Sequence, residues 1–134
     1  MIIGIGSDLC NIIRIEKILQ KNSSGLIRRL FSEQEKLYFE IKYFSSIKQQ
    51  ASYIAKRFAA KEACAKAIGT GFAEGILWKD IEILSLQSGK PILQIRGNSF
   101  KYLENHYHTN SFRFHVSLSD DFPYAQAFAV IETN

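Results

Sequence analysis

Two charged residues one helical turn apart, Glu62 and Lys66, are the first candidates for chemistry in this sequence. They lie in the second half of a predicted amphipathic helix that begins near Ser46 and ends before Gly69. The apolar stripe of this helix is formed by Ile47, Ala51, Ile54, Ala55, Phe58 and Ala59. Glu62 is predicted to continue that stripe. A carboxylate on a core-facing line must be paired, protonated or bound to a metal, because burying it alone costs too much free energy.

Two interpretations of Glu62 are open at this point. Glu62 and Lys66 have the i,i+4 spacing of a helical ion pair, which contributes about 0.2–0.5 kcal/mol. Alternatively, Glu62 shares a metal ion with a second acid from elsewhere in the chain. The Ala-rich surroundings of Glu62 leave room for a bulky group beside the helix.

Asp8 is the candidate for that second acid. It ends a strand predicted over residues 1–7, and the alternative is that it caps the following helix, which is the commoner use of such an aspartate. Gly4 and Gly6 lie inside the predicted strand. Glycines there indicate that another backbone or a ligand approaches closely.

Later segments contain groups that could contact an anion. Gly69 is expected to end the long helix, and with Gly71 it could let backbone N–H groups approach a phosphate. Lys90 projects from a predicted hairpin turn, where a lysine is usually only solvated. Residues 112–119 alternate in polarity, as expected of a half-buried strand. The polar face of that strand, which also suits the lining of a site, carries Arg113, His115, Ser117 and Ser119.

The remaining pattern predicts the elements that position these groups. A helix over residues 11–21 turns Ile12, Ile15, Ile18 and Leu19 inward and has a basic outer face of Arg14, Lys17 and Lys21, a kind of face that is commonly only solvated. A break at residues 22–25, a short helix to Phe31, and a helix from the Ser32–Glu35 capping box through Phe44 follow. The other predicted elements are a hairpin (80–86 and 92–95), a helix (99–108), the strand 112–119 and a central closing strand (124–132). This order indicates an α+β fold with helices packed on an antiparallel sheet.

Composition limits the possible classes. The 134 residues fit a single domain over residues 1–134, and the net charge of +4 indicates an anionic partner. Basic residues are dispersed and the aromatic residues fit core positions, which argues against nucleic-acid binding. Two cysteines and no signal peptide indicate a cytoplasmic protein. No apolar run approaches the roughly 18 residues needed to cross a membrane.

Three segments taken together resemble a known family. They are Gly4-Ile5-Gly6-Ser7-Asp8, the helix over residues 57–67, and His115-Val116-Ser117-Leu118-Ser119, with Gly69-Thr70-Gly71 and Gly89-Lys90-Pro91 between them. In type and order they are similar to those of the small bacterial 4′-phosphopantetheinyl transferases, the holo-acyl-carrier-protein synthases. The resemblance covers essentially the whole chain and implies the fold of that family. It also implies a Mg²⁺-dependent transfer of phosphopantetheine from coenzyme A to a serine of acyl carrier protein in fatty acid biosynthesis, with release of adenosine 3′,5′-bisphosphate.

The resemblance implies a role for each matching residue. Asp8 and Glu62 match the family's magnesium ligands, Glu62 also matches its base, and Lys66 would contact phosphates as a catalytic residue. The coenzyme A contacts would be Arg57, Lys66, Gly69, Lys90, Pro91 and His115. The basic face of Arg14, Lys17 and Lys21 would bind the carrier protein without taking part in the chemistry. Family members are homotrimers with active sites between subunits, so we expect the same assembly here, with apolar surface of the closing hairpin buried between subunits.

Two positions depart from the family pattern. Asn11 stands where many members carry a glutamate, so a third carboxylate near the metal is missing. Asp120 stands where some members have a histidine. An alternative function from another class is a non-catalytic module that binds nucleotides or coenzyme A.

Overall fold

The computed structural model describes residues 1–134 and confirms the α+β fold. Its strands are β1 (Ile2–Asn11), β2 (Ile81–Ser85), β3 (Pro91–Ile95), β4 (Phe112–Asp121) and β5 (Tyr124–Thr133). Its α-helices are α1 (Ile12–Leu30), α2 (Glu33–Ile41), α3 (Ile47–Ile68) and α4 (Gly97–Tyr107), and a short 3-10 helix spans Trp78–Asp80. None of the helices combines the length and hydropathy needed to cross a bilayer.

The strands form two antiparallel sheets. The larger sheet has the order β1-β5-β4, so the closing strand is central as predicted, and β2 pairs only with β3. Helix α3 packs on the inner face of the larger sheet. The residues of β5 that face α3 are all buried, and three of them are alanines: Ala125, Ala127, Ala129 and Ile131. Short side chains on both elements let the helix lie close to the sheet.

Helix α3 and strand β1 touch through their backbones. A Cβ atom added to Gly4 would lie 1.9 Å from the carbonyl oxygen of Ala67, and one added to Gly6 would lie 1.8 Å from that of Ala63. No side chain fits in either position. The prediction of a close backbone approach at these glycines is therefore confirmed, and the partner is α3. This contact sets Asp8, two residues beyond Gly6, against the same helix.

The start of the chain differs from the prediction in one respect. Strand β1 continues to Asn11, so the expectation that Asp8 ends the strand is wrong. Asn11 takes the capping role that was the alternative for Asp8, because its Oδ1 accepts a hydrogen bond from the backbone N–H of Ile13 at 2.9 Å. Asp8 therefore does not cap α1, and its carboxylate is available for other contacts.

Most helix boundaries follow the predicted signals. Ser32 and Glu35 form the capping box, although α2 ends at Ile41 rather than continuing through Phe44. Ser46 caps α3, and Gly69 ends it in the left-handed conformation with φ of 98°. Helix α1 contains the expected break as a kink at Asn22, whose φ of −157° and ψ of 73° are not helical.

Candidate active site

The site begins with a contact between β1 and α3. The Lys66 ammonium donates hydrogen bonds to Oδ1 of Asp8 at 3.1 Å and to the carbonyl oxygen of Ser7 at 3.0 Å. Lys66 therefore forms its ion pair with Asp8 rather than with Glu62, its i,i+4 neighbour. The Asp8 side chain is 17% exposed and that of Lys66 is 54% exposed, so the pair lies at the surface end of the contact, where an anionic ligand can reach the ammonium.

Glu62 completes the acidic pair. It is only partly buried, so the prediction that it continues the core-facing stripe is wrong. Burial and, secondarily, the charge of Asp8 raise the pKa of Glu62, whereas Lys66 and Arg14 lower it. Two carboxylates close enough for one to raise the pKa of the other form a concentrated negative site.

The charged residue of α3 that is buried in the core is instead Lys61, the residue before Glu62. Lys61 is fully buried and donates hydrogen bonds to Oε1 of Glu35 at 2.6 Å and to the carbonyl oxygens of Trp78 and Ile81 at 2.9 and 2.6 Å. All three ammonium protons thus have acceptors. Glu35 in turn accepts from the backbone N–H of Ile83, so this network joins α3, α2 and β2. Sequence reasoning missed it.

The acidic pair fits Mg²⁺ by the chemistry of its donors. Mg²⁺ takes oxygen ligands and is commonly held by one or two carboxylates, with waters and substrate phosphates as further ligands. Asp8 and Glu62 are two such carboxylates, and the chain has no group of three or more histidine, cysteine, aspartate or glutamate side chains placed to hold a metal alone. Asn11 adds no third ligand here, because its side-chain oxygen is used to cap α1.

The predicted coenzyme A contacts do not all lie at this site. Arg57 is 7% exposed and lies over the Tyr53 ring, with its guanidinium carbon 3.5 Å from the ring centroid. It donates to the Tyr53 carbonyl oxygen at 3.3 Å and to Oγ of Ser85 at 3.4 Å, and its Nε has no partner. Arg57 therefore faces the β2–β3 hairpin, and the predicted Lys90 and Pro91 lie on that same hairpin.

His115 lies on the outer face of the larger sheet, away from α3. Its Nε2 is 2.7 Å from Oε2 of Glu132, and it is exposed. The chain thus brings together Asp8, Glu62 and Lys66, with Gly69 one residue beyond the end of α3. Arg57 and His115 are not among the residues that contact this cluster.

The predicted carrier-binding residues are exposed, as expected of a docking face. Arg14, Lys17 and Lys21 all lie on the outer surface of α1. Arg14 is also part of the surroundings of the acidic pair, because its guanidinium carbon is 5.7 Å from the centroid of Phe58 and its charge lowers the pKa of Glu62. Arg14 is therefore the one member of this face whose charge acts on the pKa of Glu62.

A cavity that the sequence did not reveal adjoins this face. It has a volume of about 320 Å³ and is lined by Ile18, Leu26, Arg28, Arg29, Phe58 and Trp78, among others. Ile18, predicted to point inward, is 37% exposed beside it. Trp78 stacks on Phe58 and Phe72 with ring-centroid distances of 5.0 and 3.9 Å. An apolar cavity with a basic rim therefore lies one turn of α3 away from Glu62.

These features define a small α+β protein in which two acids and a lysine meet at a strand–helix contact. The sequence profile of the 4′-phosphopantetheinyl transferase superfamily matches residues 4–127, so the chain belongs to this superfamily and, within it, to the holo-acyl-carrier-protein synthases. The holo-[acyl-carrier-protein] synthases of Brucella ovis and Brucella abortus are each 47% identical to it, covering 98% of this chain and 96% of the relative. The family resemblance is thus confirmed.

Solved structures agree with this assignment. The holo-[acyl-carrier-protein] synthase of Neisseria meningitidis superposes with a TM-score of 0.82 at 32% identity, covering 99% of this chain and all of that one. The enzyme from Bacillus anthracis, solved in complex with coenzyme A (3′,5′-ADP), has a TM-score of 0.77 at 33% identity and covers 100% and 99% of the two chains. The Helicobacter pylori enzyme, solved with coenzyme A, has a TM-score of 0.76 at 27% identity and covers 96% and 99%.

Proposed function

We propose that this protein transfers the 4′-phosphopantetheine group of coenzyme A to a serine hydroxyl of an apo-acyl carrier protein. The serine oxygen forms a bond to the phosphorus that carries pantetheine. The bond from that phosphorus to the bridging oxygen of the pyrophosphate breaks, and adenosine 3′,5′-bisphosphate leaves. The observation that carries this proposal is the convergence of Asp8, Glu62 and Lys66 at one exposed contact, in a chain of this family.

Each residue of the cluster has a task in this reaction. Lys66 supplies a fixed positive charge for the phosphates of coenzyme A. The N–H groups of Gly69 and Gly71, at the end of the same helix, donate to the Ala65 carbonyl oxygen, so Gly69 would contact coenzyme A through other atoms. Glu62 accepts the proton of the serine hydroxyl as the general base of the reaction. Asp8 and Glu62 would hold Mg²⁺, which supplies charge neutralisation at the pyrophosphate when bound.

The nucleotide end of coenzyme A is assigned to Arg57, Lys90, Pro91 and His115. Arg57 and His115 lie away from the Asp8 cluster of their own subunit, so we infer that two subunits share each active site. A homotrimer provides such shared sites. The outer sheet face that would become buried carries exposed apolar residues, namely Ile5, Leu9, Tyr124 and Phe128. Apolar surface of this kind is typical of a subunit interface.

The assembly can be tested by subunit complementation. The Asp8→Ala and His115→Ala variants should each be inactive alone, because each removes one side of every site. Co-expressed, they should form mixed trimers in which some sites are intact, and part of the activity should return. A fully active monomer in sedimentation at micromolar concentration would overturn the shared site.

Mass spectrometry of the carrier tests the reaction itself. Apo-acyl carrier protein incubated with the enzyme, coenzyme A and Mg²⁺ should gain the mass of phosphopantetheine, and a carrier with its acceptor serine changed to alanine should gain none. Binding of coenzyme A without any mass gain would favour the alternative, a non-catalytic coenzyme A-binding module.

We place the reaction in the cytoplasm, as part of fatty acid biosynthesis, because both cysteines are free thiols, as in a reducing compartment.

A further inference from the structure

Three charged residues meet on the outer face of the larger sheet. Oε2 of Glu132 lies 2.7 Å from Nε2 of His115 and 3.5 Å from Nε of Arg113. Strand pairing places Arg113 directly opposite Glu132, and His115 is one diagonal step away on the same face. The Glu132 carboxylate on β5 thus contacts two basic side chains of β4, Arg113 and His115.

The stability of the single chain does not account for this arrangement. In the single chain the His115 and Arg113 side chains are 55% and 63% exposed, and ion pairs between groups this accessible to water contribute little to folding. Glu132 is nevertheless firmly ionised, because the hydrogen bond from His115 and then the charge of Arg113 lower the pKa of its carboxyl group. The hydrogen bond between Glu132 and His115 therefore serves to orient the imidazole ring of His115 rather than to stabilise the fold.

The carboxylate determines which atom of the imidazole remains available. With Nε2 donating to Glu132, Nδ1 is the ring nitrogen left to meet a ligand. When both ring nitrogens carry a proton, Nδ1 donates as well as Nε2, and this is the form of the ring that gives a hydrogen bond to an anion. Such a group suits a phosphate, since charge-assisted hydrogen bonds to anions are the stronger kind.

We propose that Glu132 is a positioning residue for coenzyme A: it holds His115 with Nδ1 outward, as a donor to the 3′-phosphate of the nucleotide. The inference rests on the proposed function, because it assumes that His115 meets the nucleotide end of the donor. Glu132 itself touches no substrate. Its effect should therefore appear only in the binding of donors that carry the 3′-phosphate.

Glu132→Gln is the appropriate variant, since it removes the charge and keeps the size of the side chain. The KM for coenzyme A should rise about fivefold, with kcat within about twofold of wild type. Dephospho-coenzyme A, which lacks the 3′-phosphate, should be used equally well by the wild type and the variant. In the His115→Ala background, Glu132→Gln should have no further effect on the equilibrium binding of coenzyme A, which is measured without turnover. Glu33→Gln, which removes one exposed carboxylate of a surface pair on α2, is the matched control.

The possible results distinguish failure of the proposed transferase function from failure of the positioning role of Glu132. If the wild type transfers from neither donor, the proposed function fails. If the wild type transfers and Glu132→Gln leaves the KM for coenzyme A unchanged, or raises that for dephospho-coenzyme A equally, the positioning role is wrong. A lower KM for coenzyme A would also overturn it, because Glu132 would then be a competitor of the phosphate.

Discussion

The Lys66 ammonium lies 3.1 Å from Oδ1 of Asp8 and joins α3 to β1 across 58 positions of the chain. Lys66 thus holds Asp8, one carboxylate of the acidic pair. The other carboxylate, Glu62, lies one turn before Lys66 on α3. A cation at one side of the two carboxylates limits their repulsion without removing it, because Asp8 still raises the pKa of Glu62. The remaining negative charge is what a divalent cation would neutralise.

We therefore expect Asp8→Ala and Glu62→Ala each to lower kcat/KM by at least about 100-fold, as removal of a group that stabilises developing charge does. Coenzyme A should raise the melting temperature of the wild type in a Mg²⁺-dependent way, and each variant should weaken that rise, which is a readout independent of turnover. Circular dichroism should show an unchanged fold. Glu33→Ala, which removes an acid from a surface pair, is the control. Full activity of either site variant at saturating coenzyme A contradicts the assignment.

The contact between β1 and α3 should tolerate no side chain at Gly6. An added Cβ would meet the Ala63 carbonyl oxygen at 1.8 Å, and neither backbone can avoid it by a change of rotamer. Gly6→Ala should lower the free energy of unfolding by about 1–3 kcal/mol or more, and should reduce activity by displacing Asp8. Ser7→Ala on the exposed face should change it by less than about 0.5 kcal/mol. Equal stability of the two variants in urea denaturation would show that the strand can move aside.

The buried Lys61–Glu35 pair and the exposed Lys36–Glu33 pair allow a matched comparison. Lys61→Met leaves a buried carboxylate without its partner, so we expect a loss of about 3–5 kcal/mol in the free energy of unfolding. Lys36→Met breaks a pair whose glutamate is 90% exposed, and the loss should be about 0–1 kcal/mol. Chemical denaturation of both variants decides the matter. A similar small loss in both would mean that water reaches Glu35 once Lys61 is removed.

Local signals predicted the elements well because their physical causes are local. The Ser32 capping box, the Gly69 helix end and the alternation of β4 each depend on residues a few positions apart. The glycines of β1 revealed a close contact, although only the structure identifies α3 as the partner.

The charged network of the core could not be predicted in the same way. Lys61 and Glu62 are neighbours on an Ala-rich helix, so the periodicity alone does not tell which of them faces inward. The answer depends on Glu35, which is 26 positions away in sequence and supplies the carboxylate that makes burial of Lys61 tolerable. Likewise, the approach of Arg14 to Phe58 depends on how α1 packs on α3, which no pattern within α1 encodes.

The basic face of α1 should recognise the carrier protein, and the structure indicates which residues test this cleanly. We expect the carrier protein to present acidic groups to this face, and charges at the rim of an interface act mainly on the rate of association and its salt dependence. Lys17 and Lys21 are exposed and form no ion pair, whereas the charge of Arg14 also lowers the pKa of Glu62.

We therefore expect the double variant Lys17→Glu/Lys21→Glu to raise the KM for the carrier about three- to tenfold, each exposed charge contributing about 0–1 kcal/mol. The KM for coenzyme A and the value of kcat should stay near wild type. Arg14→Glu should affect kcat as well, and added salt should weaken carrier binding in the wild type more than in the double variant. Lys101→Glu on α4, another exposed lysine, is the control for net charge. An unchanged carrier KM in the double variant, or an equal rise in both KM values, would mean that this part of α1 is only a solvated surface.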